Sequence, residues 1–313
     1  MDWLYVIVGL VILVFAGDSL VKGAVNLALR LGIPPLVVGL TVVAFGTSAP
    51  ELLVSLQALF SGQTGIALGN VVGSNTANIL LVLGMPALIH RLHSGAEDVR
   101  RSYVIMLLAS LLFVALLFTG PLTWWHGLIL LSGLCYMLFD SWRAARDHRE
   151  AEPDPEELEG ADPNLRGWKI ALFIGMGLVG LPFGANLLVG GASNIASAFG
   201  VSDAVIGLTL VAIGTSLPEL AATMMAALRR QADVALGNVI GSNVFNLLAI
   251  IGITTLFGDL PVPPEMLRLD VWVMLAASLA LAPFVFKGLD ITRRHGTLFT
   301  TLYVAYLLVL VFA

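Results

Sequence analysis

Apolar stretches of about twenty residues recur along almost the whole chain, each closed by a short polar or basic segment, and that length crosses the hydrocarbon core of a bilayer as an α-helix. We read ten such spans, centred near residues 15, 45, 77, 110, 133, 182, 214, 245, 278 and 306, the first and sixth the longest. The pattern predicts an all-α polytopic membrane protein. One strongly polar stretch, RAARDHREAEPDPEELEGADPNLRG, separates the fifth span from the sixth. Its acidic, proline-containing composition is that of a solvated linker, and it lacks the ligand spacing of an EF-hand. It divides the chain into a first five-helix unit (1–142), a cytoplasmic linker (143–167) and a second five-helix unit (168–313). The opening MDWLYVIVGLVILVFAG has no basic region ahead of its apolar run, and the helical pattern continues past it, so it reads as a span and not as a cleaved signal.

Composition agrees. Of 313 residues 58% are hydrophobic and 12% charged, against about a quarter charged in soluble proteins, and the mean hydropathy is +0.93. Cytoplasmic loops carry an excess of Lys and Arg. If the loops alternate sides, one side holds fourteen basic residues, from Arg30 to Arg294, and the other holds Arg268 alone, with Lys22 inside the first span. That asymmetry supports ten spans with both termini on the non-cytoplasmic side, in the cell (inner) membrane. Trp3, Trp124, Trp125, Trp142, Trp168 and Trp272 fall near span ends, as interfacial tryptophans should. The net charge of -5 and the scatter of basic residues exclude a nucleic-acid role. A single cysteine, Cys135, rules out a disulfide framework or a cysteine metal site, and it is expected to pack against a neighbouring helix.

Residues 32–84 align with 200–252 at a constant offset of 168 without gaps, and 26 of the 53 positions are identical. The shared blocks are GTSxPE and ALGNVxGSNxxNxL. Because each half has an odd number of spans, the second copy enters the membrane from the opposite side, which makes the halves inverted repeats. Secondary transporters recurrently use this arrangement, with ligands held near the midplane by broken helices at the repeat interface.

The blocks place polar chemistry inside apolar spans. Pro50 and Pro218 should free the carbonyls of Gly46 and Gly214 by removing a donor and clashing with the preceding turn, breaking helices 2 and 7. Irregular backbone at membrane depth is tolerated where it is buried in protein or lines a wet cavity. Glu51 and Glu219 are intramembrane acids, which are functional candidates by default. Thr47 and Ser48 lie four and three residues before Glu51, and Thr215 and Ser216 repeat this before Glu219. Ser74 with Asn78, and Ser242 with Asn246, add hydroxyls and amides at i and i+4. A hard cation takes about six to eight oxygen ligands, and two carboxylates match one divalent ion, or two monovalent ions or protons in turn. An empty site holding two close glutamates in low dielectric is unfavourable, so the empty carrier resists reorientation, as an exchanger requires.

Plainer roles exist for several of these residues. Gly69 with Gly73, and Gly237 with Gly241, have the spacing of helix-packing faces. Asp18 and Lys22, at i and i+4, read as a pair that neutralises itself. GDSL at residues 17–20 lies inside a span and no HExxH occurs, so an intramembrane enzyme is a remote alternative.

With GTSAPE, GTSLPE and the two GSN motifs, the sequence resembles the Ca2+/cation antiporter superfamily, in its prokaryotic sodium/calcium exchanger branch. The resemblance implies ten helices with spans 2, 3, 7 and 8 as the core, spans 1 and 6 sliding across it, and exchange of Ca2+ for Na+ without a cofactor or an obligatory protein partner. It implies Ca2+ ligation by Glu51, Glu219 and the carbonyls of Thr47 and Thr215. Flanking Na+ sites would use Ser48, Ser74, Ser216 and Ser242, the carbonyls of Ala44 and Ala212, and Glu51 and Glu219, with Asn78 and Asn246 lining the centre. Several exchangers of this branch have an aspartate where Asn246 stands, so the fixed site charge is here that of two carboxylates, and Ca2+/H+ antiport is the alternative.

Overall fold

The computed structural model describes residues 1–93, 97–150, 162, 164–199 and 212–312. Most of the linker and the part of the expected seventh span before Ala212 lie outside them. Among the described residues, eight helices are long and apolar enough to cross a membrane. They are α1 (Asp2–Leu31), α2 (Pro35–Phe60), α3 (Thr64–Ile89), α4 (Glu97–Leu117), α5 (Trp124–Glu150), α6 (Gly167–Ala198), α8 (Ala232–Phe257) and α9 (Asp270–Lys287). A shorter apolar helix, α7 (Leu217–Leu228), follows a single turn at Ala212–Thr215, and α10 (Arg293–Phe312) closes the chain. The chain is thus a multi-pass, all-helical membrane protein. Helix α5 runs through residues 143–150, so the expected linker begins as an extension of the preceding helix.

Burial separates centre from periphery. The most apolar windows of α3 and α8 are 78% and 89% buried, against 33% and 22% for α1 and α6. A segment that is apolar on every face can be buried anywhere, but one carrying asparagines and serines must meet protein. Helices α1 and α6 lie along one another, drawn together by glycines. A Cβ on Gly9 would stand 2.6 Å from the backbone nitrogen of Leu188, and one on Gly184 would stand 3.0 Å from the carbonyl of Gly9. All six tryptophans are exposed.

The offset of 168 reappears in the contacts. Leu92 forms a two-residue β-bridge with Ile291, and Leu260, its counterpart, forms one with Leu122. Gly84 meets Gly296 of α10, while Gly252, offset from Gly84 by 168, meets Gly127 of α5.

Helix α2 is interrupted at Ser48 (φ -83°, ψ 0°) and its counterpart at Ser216 (φ -88°, ψ 4°). Pro50 and Pro218 then fall in the first turn of the following helical segment. There a missing N–H costs nothing. The break therefore lies at the serine, and the proline starts the new segment instead of kinking the old one. Among the described residues three stretches widen into π-helix: Gly39–Val43, Asn78–Val82 and Phe245–Ile250. Such bulges concentrate at functional positions.

Two sequence expectations change. Asp18 pairs with Arg229 at the end of α7, at 2.6 Å from Nε, while Lys22 lies over the Phe173 ring at 4.8 Å. Cys135 is exposed instead of packed. Gly237 and Gly241 pack on α2, where Cβ atoms would meet the carbonyls of Leu36 at 2.7 Å and Leu40 at 2.5 Å. For Gly69 and Gly73 the positions equivalent to Leu36 and Leu40, 204 and 208, lie outside the described residues. Gly241→Ala should therefore cost about 1–3 kcal/mol through overpacking. The melting temperature of the purified variant checks this, and an unchanged midpoint would contradict the close packing.

Candidate cation-binding site

Interrupting a helix twice exposes backbone that must find partners, and the residues at both breaks supply them with side chains. After each break the next helical turn carries an acid, Glu51 or Glu219, and both are wholly buried. The hydroxyl of Ser48 donates to Oε1 of Glu219 at 3.3 Å, joining the two motifs directly across 171 positions of sequence. The two carboxylates repel one another electrostatically. Thr47, Ser48, Ser74, Asn78, Ser216, Ser242 and Asn246 are all buried as well.

Among the described residues, Oε1 and Oε2 of Glu51, Oε2 of Glu219, Oδ1 of Asn78 and of Asn246, and Oγ of Ser216 have no hydrogen-bond partner. Buried polar atoms are nearly always paired, so this collection of acceptors fits an oxygen-coordinated cation. Among the described residues no three His, Cys, Asp or Glu side chains gather into a metal cluster. Hard oxygen donors suit Na+ or Ca2+ over soft transition metals.

The surroundings orient these groups. Asn238 donates to the carbonyl of Glu219 at 3.4 Å and to Thr223 Oγ1 at 3.0 Å. Asn70, its counterpart at the offset of 168, donates to the carbonyl of Glu51 and to Ser55 Oγ, each at 3.3 Å. Thr47 donates to Oδ1 of Asn238 at 3.1 Å and lies 3.4 Å from the Ser242 hydroxyl. The carbonyl of Ala44 accepts from Ser48 N at 3.0 Å and stands 3.3 Å from the Thr47 hydroxyl, so it is not a bare ligand here. Ser74 and Thr215 border a cavity of about 300 Å3 that also touches Asn70, Gly69 and Gly73. Gly46 and Gly214 both face α6, against Leu178 and Val189. Ala212 begins the turn before Ser216, and its backbone is described while its side chain is not.

Four asparagines were absent from the sequence-based set: Asn70, Asn75, Asn238 and Asn243. All four lie in the repeated ALGNVxGSN block, and recurrence of a polar residue at the same place in both copies was the available signal.

A family model for the sodium/calcium exchanger protein matches residues 1–142 and 169–312. The chain belongs to the sodium/calcium exchanger family. It is 40% identical to the putative antiporter CaxA of Alkalimonas amylolytica, over 89% of this chain and 88% of that one. It is 34% identical to the sodium/calcium exchanger MaX1 of Methanosarcina acetivorans, over 99% and 98%. Its fold superposes on the sodium-calcium exchanger NCX_Mj with a TM-score of 0.84, at 34% identity and with 97% of each chain covered. These relatives are transporters and not enzymes. The family match spans both motif blocks, so the buried acids of this exchanger-family chain lie in matched sequence. Asn238→Ala should leave the Thr47 hydroxyl and the Glu219 carbonyl short of a partner and cost about 1–3 kcal/mol. Thermal unfolding of the purified variant measures it, and an unchanged midpoint would show the amide to be dispensable.

Proposed function

We propose that the chain is a secondary active antiporter exchanging Ca2+ for Na+ by alternating access, with one mid-membrane site between two inverted five-helix repeats in a ten-helix fold. The observation that carries this is the contact of Ser48 with Glu219, which brings the two motifs together around buried oxygens lacking partners among the described residues. Glu51 and Glu219, with the carbonyls of Thr47 and Thr215, bind Ca2+. Ser48, Ser74, Ser216 and Ser242 serve Na+ beside the same carboxylates, with Asn78 and Asn246 at the centre. The names of MaX1 and NCX_Mj as sodium/calcium exchangers support the same ions here. The asymmetry of basic residues supports a multi-pass cell-membrane protein with both termini on the non-cytoplasmic side.

Two carboxylates neutralise either one Ca2+ or two monovalent ions, so one cargo replaces the other on the same charges. Bare, they repel in a low-dielectric interior, where charge is costly, and the empty protein does not reorient. The amide at Asn246 in place of a third acid supports a second reading, Ca2+/H+ antiport, in which protons take the place of Na+.

Glu51→Gln and Glu219→Gln should each abolish Ca2+ exchange in reconstituted vesicles, and retained flux in both would refute the assignment. Ca2+ uptake driven by an imposed Na+ gradient, compared with uptake driven by a pH gradient, separates the two readings. Uptake with Na+ alone is the expected result. Protons compete for the same carboxylates, so the half-saturating Ca2+ concentration should rise as the medium is acidified to about pH 5, near the ordinary carboxylate range. A flat profile would sever the link between the acids and Ca2+.

A further inference from the structure

Asn75 and Asn243 sit almost fully buried between α3 and α8, and their hydrogen bonds have an enforced direction. Asn75 Nδ2 donates to the backbone carbonyl of Asn243 at 3.1 Å, an atom that can only accept. The other end of the Asn75 amide is thereby oxygen, and it receives Nδ2 of Asn246 at 3.0 Å. That leaves Oδ1 of Asn246 as the atom with no partner among the described residues. A second relay runs the other way. Asn243 Nδ2 donates to Sδ of Met106 at 3.6 Å, again an acceptor only, and Asn243 Oδ1 receives Nδ2 of Asn78 at 3.0 Å. Oδ1 of Asn78 is left over in turn. The two relays exchange across the offset of 168, Asn78 bonding Asn243 and Asn246 bonding Asn75. Turning any one amide end for end would set donor against donor or acceptor against acceptor at the next link.

We infer that Asn75 and Asn243 are positioning residues that hold the carboxamides of Asn78 and Asn246 oxygen-first toward the transported cation. The inference rests on the antiport reading above and deepens it. Asn78 lies one helical turn beyond Ser74, and Asn246 one turn beyond Ser242, whose hydroxyl reaches Thr47, so both amides share the faces that carry the site. A free asparagine presents its N–H as readily as its oxygen. Tied at Nδ2, it turns its oxygen to the opposite side, which adds neutral oxygens to the two carboxylates without adding charge. The anchors are unequal, a carbonyl for one relay and a weakly accepting thioether for the other, so the Asn246 amide is held the more firmly.

The test is a double-mutant cycle on the full-length protein, with Ca2+ and Na+ binding read by titration calorimetry and exchange read separately in vesicles. Asn75→Ala should weaken cation binding about tenfold, the equivalent of one lost charge-assisted interaction. In the Asn246→Asp background both oxygens of residue 246 accept and no N–H can turn inward, so Asn75→Ala should cost nothing further there. The same loss in both backgrounds would make Asn75 a packing residue and overturn the inference, as would unchanged binding in Asn75→Ala. The matching cycle of Asn243→Ala with Asn78→Asp gives the same decision if Asn75→Ala does not fold, with a smaller expected loss. A wild-type chain that binds both cations but exchanges neither refutes the antiport reading and leaves the cycle decisive for the positioning role. A wild-type chain that binds neither cation sinks both.

Discussion

Two carboxylates that repel one another inside a membrane protein, with most of their oxygens lacking partners among the described residues, are the constraint around which the rest of the molecule is arranged. Charge removed from water is costly unless paired, and in the proposed antiport the compensating positive charge comes with the cargo. Each structural irregularity near Glu51 and Glu219 serves that arrangement. The breaks at Ser48 and Ser216 end one helical segment and start another so that the acids fall in a first turn, where helix dipoles favour negative charge.

Holding such a site requires rigidity around it, and the polar contacts of α3 and α8 provide it. Asn70 and Asn238 tie the backbone of each acid-bearing turn to a serine or threonine one turn on. Asn75 and Asn243 cross between α3 and α8. Side-chain amides suit this work because each joins a donor and an acceptor at a fixed spacing and carries no charge to disturb the acids. The periphery is different in kind. Helices α1 and α6 approach through glycines and expose most of their surface, and their one described ion pair to the core is Asp18 with Arg229.

The amino-acid pattern by itself determined that the chain is a helical membrane protein, that it contains a duplicated unit, and that GTSxPE and GSN concentrate polar groups inside its apolar spans. These follow from hydropathy, self-similarity and the cost of polar groups in lipid, which act on local sequence. The tertiary structure alone decided the direction of contacts between distant residues. Asp18 neighbours Lys22 in sequence, but its partner is Arg229, because an ion pair forms with whichever cation the packing delivers. Pro50 marked a broken helix, yet the break fell at Ser48, since a proline is accommodated best at the start of a helical segment. The orienting asparagines escaped a reading focused on acids. Their work depends on which end of each amide meets a backbone carbonyl or a thioether across the helix interface, and no local pattern records that.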